Sequence, residues 1–201
     1  MTSTTKNIYL IVGPSGVGKT SLVNELEHLF GLKSIESYTT RPKRTEDETG
    51  HVFISDEEFD ELRNLCAYTE YNGHRYGVTR AMIDESELYV VDPKGVRFFL
   101  SHYYGEKKPY IIGVTADKMT RLRRMIKRGD AAWEANDRLV EDSKQFREYE
   151  KLCNTIIVND DFNATVLQLW KIILAEEAKK ENNCKLVFGN NLRCYEVKGL
   201  D

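Results

Sequence analysis

The chain has 201 residues, 41% of them hydrophobic and 30% charged, with a net charge of −3. That length suits one domain with a proper core, and the lack of a basic bias argues against nucleic acid or an anionic membrane as partner. No apolar stretch approaches the roughly 20 residues that span a bilayer, and the polar start MTSTTKN is not expected to be a signal peptide.

Asn7–Gly13 predicts a buried strand, and Lys19–Phe30 a helix with its apolar face at Leu22, Val23, Leu26, Leu29 and Phe30, stopped by Gly31. Leu32–Tyr38 predicts a second strand, Arg41–Gly50 a polar loop, and Val52–Ile54 a short strand. Ser55 and Glu58 have the spacing of a capping box. Tyr68–Gly77 predicts a hairpin turning at Asn72-Gly73. Leu88–Val91 follows as an apolar strand, and Asp92-Pro93 is a helix-start signal. Tyr110–Val114 predicts a strand, Asp117–Arg128 and Ala131–Tyr149 helices, Thr155–Val158 a strand and Asn163–Lys180 a final helix. The tail CKLVFGNNLRCYEV predicts a hairpin around Gly189-Asn190-Asn191, with no chemistry assigned to it. Cys66, Cys153, Cys184 and Cys194 lack CxxC spacing and read as reduced thiols of a cytoplasmic protein. Cys184 and Cys194 share the tail, but no pairing is expected. Strands alternating with helices predict an α/β fold with a central parallel sheet covered on both faces. The region from about Ser34 to Tyr89 breaks that rhythm, as an inserted substrate-binding subdomain does.

Gly13-Pro14-Ser15-Gly16-Val17-Gly18-Lys19-Thr20 fits the pattern G-x-x-x-x-G-K-[ST]. Phosphate oxygens need many donors at once, and a chain that curls around the anion supplies backbone N–H groups. The following helix turns its positive end to the phosphates. Lys19 adds a mobile charge, and the Thr20 hydroxyl is a hard oxygen ligand for Mg²⁺. The alternative is a glycine turn without a ligand, but the pattern here follows a strand and opens a helix.

DKMTRLRRMIKRGD packs six cations into one short helix. Arg121, Arg124 and Arg128 share a face, where like charges repel, and Leu122, Met125 and Ile126 give a packing side. With Arg138 on the next helix, this reads as an arginine-bearing flap beside the phosphate loop. A solvated basic face balanced by Glu134, Asp137, Glu141 and Asp142 is the plainer alternative. Arg41 and Arg44 sit on a loop with few packing partners, and their forked guanidinium groups suit a second phosphate. Tyr76 brings an aromatic hydroxyl, and Asp92 ends a strand where open α/β sheets place ligands.

The chain resembles the guanylate kinase family through GPSGVGKTSL, SYTTRPKR, FISDEEF, NGHRYGVT, VDPKG, RRMIKRGD and VNDD, in family order up to about Ala175. The resemblance implies a P-loop NTPase-type three-layer fold and transfer of the ATP γ-phosphate to GMP or dGMP, with Mg²⁺. It implies a core (1–33, 88–126 and 152–180), a nucleotide-monophosphate-binding insertion (about 34–87) and a short lid (about 127–151), followed here by the extension 181–201. It places Arg41, Arg44 and Tyr76 at the acceptor phosphate, Ser37 at its base and Asp92 near base and metal. Lys19, Arg124, Arg128 and Arg138 fall at the transferring phosphoryl group, and Asn159 beside the ATP base.

The departures concern the acceptor. The loop before Phe53 is about two residues shorter than in the family, and His51 stands where a phosphate-contacting tyrosine is usual. Ala67 falls at the distance of the base-reading glutamate, which makes Glu70 the expected stand-in. Val78 replaces a hydroxyl residue, with Thr79 adjacent, and Lys94 stands in place of a glutamine. Tyr76 as plain packing, and His51 and Glu70 as solvated surface residues, are the alternatives. A related kinase acting on another nucleotide or a ribose phosphate stays open, and so does a non-catalytic interaction module. A monomer or weak homodimer is expected.

Overall fold

The computed structural model describes residues 5–43, 46–71 and 73–181. Arg44, the tail hairpin, Cys184 and Cys194 lie outside them. The central sheet contains β1 (Asn7–Val12), β6 (Leu88–Val91), β7 (Lys108–Thr115) and β8 (Thr155–Val158). Its order is β6-β1-β7-β8, and every pairing is parallel. All six residues of β1 are buried, as a strand covered on both faces requires.

Alternation along β1 divides the core. Ile8, Leu10 and Val12 face α4 (Pro93–His102) through Val96 and Phe99. Tyr9 and Ile11 face α1 (Lys19–Phe30) and α7 (Phe162–Glu181) through Leu22, Leu26, Leu169 and Ile173. Each helix covers the sheet with one apolar stripe.

A second four-stranded sheet comprises β2 (Ser37–Thr39), β3 (His51–Phe53), β4 (Leu65–Tyr71) and β5 (His74–Thr79), ordered β3-β2-β5-β4. Between its strands lie α2 (Asp56–Glu61) and, after β5, α3 (Arg80–Asp84). Cys66, Ala67 and Val78 join this sheet to the α4 side of the core. The two helices α5 (Lys118–Lys127) and α6 (Ala132–Gln145) have a small core of their own, formed by Met125, Ala135 and Leu139 with Leu122 against it.

The local signals are realised in detail. Ser55 Oγ accepts from the Glu58 N–H at 3.1 Å while Glu58 accepts from the Ser55 N–H at 2.8 Å. Asp92 caps α4 by accepting from the Gly95 N–H at 2.6 Å, with Pro93 in the first turn.

Four expectations change. Leu32–Tyr38 is not one strand: Ser34 makes a lone parallel bridge to Leu88, and Ser37–Thr39 pairs in the second sheet. The apolar run indicates an extended chain but not the sheet that takes it. The helix predicted to reach Tyr149 stops at Gln145, because Glu148 adopts a left-handed φ of 61° and turns the chain into a 3-10 segment, Tyr149–Leu152. Leu29 on α1 and Ile126 on α5 are exposed, so the apolar face of each helix is narrower than its sequence suggests.

Candidate active site

The end of β1 delivers Gly13 to the carboxyl edge of the parallel sheet, where open α/β folds bind ligands. A Cβ on Gly13 would stand 2.2 Å from the Val114 carbonyl oxygen, so only glycine lets the loop lie against β7. Gly16 and Gly18 take φ of +77° and +96°, values that favour glycine. The loop closes at Gly18, and α1 begins with Lys19 and Thr20. The Lys19 ammonium turns inward and donates to the carbonyls of Gly13 and Pro14. Loss of hydration pulls its pKa down to about 8; Asp142 and Asp92 oppose that shift, while Arg121 and Arg128 add to it. Thr20 is exposed beside it.

The arginine face of α5 is not a free cationic surface. Arg124 donates to the carbonyls of Val17 at 3.2 Å and Asn159 at 2.9 Å. Arg128 is held by both carboxylate oxygens of Asp130, at 2.9 and 2.7 Å, and Arg138 of α6 lies 3.7 Å from the same carboxylate. Arg121 pairs with Asp142. Of the acids set against this face in the sequence, Asp142 alone is therefore shown as a partner of these arginines; Glu134 accepts the Ala131 N–H and Glu141 faces Lys144. Lys19, Thr20, Arg124, Arg128, Arg138 and Asn159 line one cavity of about 600 Å³. Asn159 is 1% exposed and donates through Nδ2 to the Val17 carbonyl at 2.7 Å. Its buried Oδ1 has no hydrogen-bond partner among the described residues.

A cavity of about 780 Å³ opens on the other side of α1, lined by Thr20, Ser37, Arg41, His51 and Tyr76 among others. A smaller cleft of about 240 Å³ shares Ser37, His51 and Tyr76 with it, and Ser15 and Lys19 with the cavity under the arginines. The Ser37 hydroxyl and His51 Nδ1 are 2.9 Å apart, and the His51 and Tyr76 rings meet edge-on at 5.6 Å. Arg41 is gripped by Glu48 at 2.7 and 3.2 Å, both side chains being largely buried. Asp92 lines the small cleft and accepts from the Thr69 hydroxyl at 2.9 Å.

Two predicted acceptor residues lie elsewhere. Glu70 pairs across the hairpin with Arg75, whose guanidinium lies over Phe59, and it is exposed. Successive residues of a strand face opposite ways, so Thr69, paired with Tyr76, enters the cleft and Glu70 does not. Val78 is fully buried and packs in the core opposite Ala67, which is also buried. Lys94 is exposed on α4. The sequence reading missed Thr69, Glu48, Asp130 and the bonding role of Asp142. Thr69 was accessible by counting back through the turn from Tyr76.

A loop of backbone donors closed by a lysine, roofed by arginines and adjoining a second polar cleft, defines a P-loop nucleotide-binding protein built for two ligands. The comparisons narrow that class. A family model described as guanylate kinase matches residues 5–176. The guanylate kinase of Legionella pneumophila (strain Paris) is 29% identical over 187 residues, covering 87% of this chain and 88% of its own. The guanylate kinase of Koribacter versatilis (strain Ellin345) is 31% identical over 193 residues, covering 87% and 81%. The crystal structure of guanylate kinase from Anaplasma phagocytophilum shares the fold, with a TM-score of 0.64 at 21% identity over 88% of both chains. The chain belongs to the guanylate kinase family. No helix among the described residues is long and apolar enough to cross a membrane.

Proposed function

We propose that the protein is an ATP:GMP phosphotransferase, converting ATP and GMP to ADP and GDP. One observation carries the reading: the small cleft joins Lys19 of the phosphate loop to Ser37, His51 and Tyr76 of the second sheet. A donor phosphate on the loop and an acceptor phosphate near Arg41 would face each other there. In this reading residues about 34–87 hold the acceptor and about 127–151 form the lid. Arg44, which lies outside the described residues, belongs with Arg41 in this role.

Transfer between phosphates rests on positioning and charge. Lys19 binds the donor phosphates, and Arg124, Arg128 and Arg138 stabilise charge on the moving phosphoryl group. Asn159, in the lining of the donor cavity, is the residue we assign to the side of the ATP base. No general base is needed, since the acceptor is already a phosphate oxyanion. The exposed Thr20 hydroxyl, on the rim of both larger cavities, fits a Mg²⁺ ion that also takes oxygens from the nucleotide. Among the described residues no group of three or more His, Cys, Asp or Glu side chains forms a metal cage. Bound there, Mg²⁺ would neutralise phosphate charge. We place the enzyme in the cytoplasm.

A second reading, a kinase of different acceptor preference, is favoured by one observation. Neither Ala67 nor Glu70 brings a carboxylate to the acceptor side, where the lining carboxylates are Asp92 in the small cleft and Glu27, Glu36, Glu48 and Glu85 in the adjoining cavity. MgATP with GMP, dGMP, AMP, UMP, CMP or ribose bisphosphate separates the readings. GMP is expected to have the highest kcat/KM, and turnover of GMP no better than of AMP would sink the first reading. Loss of turnover in Lys19→Ala is expected as well; intact activity in that variant would count against the kinase reading as a whole.

A further inference from the structure

Asp142 and Arg121 form a junction that the transfer reading does not use. Ser15, in the first half of the phosphate loop, is held at every polar atom. Its N–H donates to Asp142 Oδ2 at 2.8 Å, its hydroxyl lies 3.3 Å from Asp142 Oδ1, and its carbonyl accepts from Arg121 Nε at 2.8 Å. Arg121 Nη2 closes the circuit on Asp142 Oδ2. The two side chains are only 13% and 10% exposed. A buried charge pair of this kind is costly to break from one side, because the other charge stays behind.

The junction joins three elements. Helix α5 holds successive residues of the loop: Arg121 binds Ser15, the α5 backbone leaves no room for a Cβ on Gly16, and Arg124 binds Val17. On α6, Asp142 lies one turn after Arg138, on the same face. A rotation of α6 that carried Arg138 away from the cavity would therefore pull Asp142 off the Ser15 N–H. On α5, Arg121 likewise lies one turn before Arg124.

We propose that Asp142, paired with Arg121, is a positioning residue for the donor nucleotide. It fixes the loop's first half and the face of α6 that carries Arg138 in one shared geometry, so the shape of the loop reports the placement of Arg138. Asp142 touches neither the nucleotide nor the transferred group in this role. It acts through Ser15 and through its own helix.

The test uses MgATP binding as well as turnover. Binding needs no acceptor, so the result stands whatever acceptor the enzyme prefers. Asp142→Ala is expected to weaken MgATP binding about tenfold, the scale of a lost charge-assisted bond, and to lower kcat while KM for GMP stays within twofold. Asp142→Asn keeps an acceptor for the Ser15 N–H, preserves the fold and is expected to lose roughly threefold. Arg121→Ala with Asp142→Ala together should cost less than the product of the single effects. A merely structural role would lower the active fraction, and so kcat, without moving MgATP affinity. MgATP affinity within twofold of the parent in both Asp142 variants would overturn the proposal.

Discussion

The Lys19 ammonium gives a quantitative handle on the donor site. Its pKa in the folded chain is about 8, against the ordinary lysine value of 10.5, because burial removes hydration from the charged form. The sign follows from proton counting. Between the two values the unfolded chain holds a proton that the folded chain has released, so stability rises with pH across that window. Below about pH 8 the penalty is present in full; it is relieved as the pH climbs past 8. With these pKa values, the folded state gains about 1.3 kcal/mol from this one group between pH 7 and pH 9. Lys19→Met lacks the titration. Urea unfolding of both proteins without nucleotide, at pH 7, 8 and 9, isolates it, since every other titrating group cancels in the difference. The stability of the parent relative to the variant is expected to rise by about 1.3 kcal/mol over that range. Saturating MgATP should flatten the trend, because phosphates favour the protonated amine. Parallel curves for the two proteins without nucleotide would refute the desolvation argument.

Three further outcomes test other parts of the structure. Arg138→Ala should lower kcat by about 10²-fold, the scale of a lost donor at developing charge, with KM for GMP little changed in steady-state assays. Gly18→Ala forces a side chain onto a φ of +96° and sets a Cβ 2.7 Å from Asn159 Nδ2; MgATP affinity measured by calorimetry should fall by at least about tenfold. Phe99→Ala empties a fully buried site in the α4 side of the core. It should cost about 3–5 kcal/mol in urea unfolding with an unchanged slope.

What the sequence made legible is what short segments encode by themselves. The phosphate loop, the Ser55–Glu58 box and the Asp92-Pro93 start are settled by backbone chemistry within a few residues. The partners of the charged groups were harder to read. Ser15 and Asp142 are 127 positions apart, and nothing local in either marks the bond. Glu48 lies only seven residues from Arg41, yet the loop closure that joins them depends on the strands at its ends. The hairpin itself forms as expected, but the choice of Glu70 within it failed for another reason. A shift of one residue reverses every side chain, and choosing Glu70 over Thr69 was such a shift. Charge suggested Glu70; the register with Tyr76 selects Thr69.

The chain has two tryptophans, and the fold places them in contrasting settings. Trp170 on α7 stacks on Phe30 of α1 with ring centroids 4.2 Å apart, whereas Trp133 on α6 is 67% exposed. Intrinsic fluorescence therefore carries two separable signals. In a Trp133→Phe background the emission reports whether α1 and α7 remain packed on the central sheet. In a Trp170→Phe background it reports the surroundings of α6 alone. Stopped-flow traces of the two variants would time the movement of the arginine-bearing helix against an internal reference, with no dye attached to the protein.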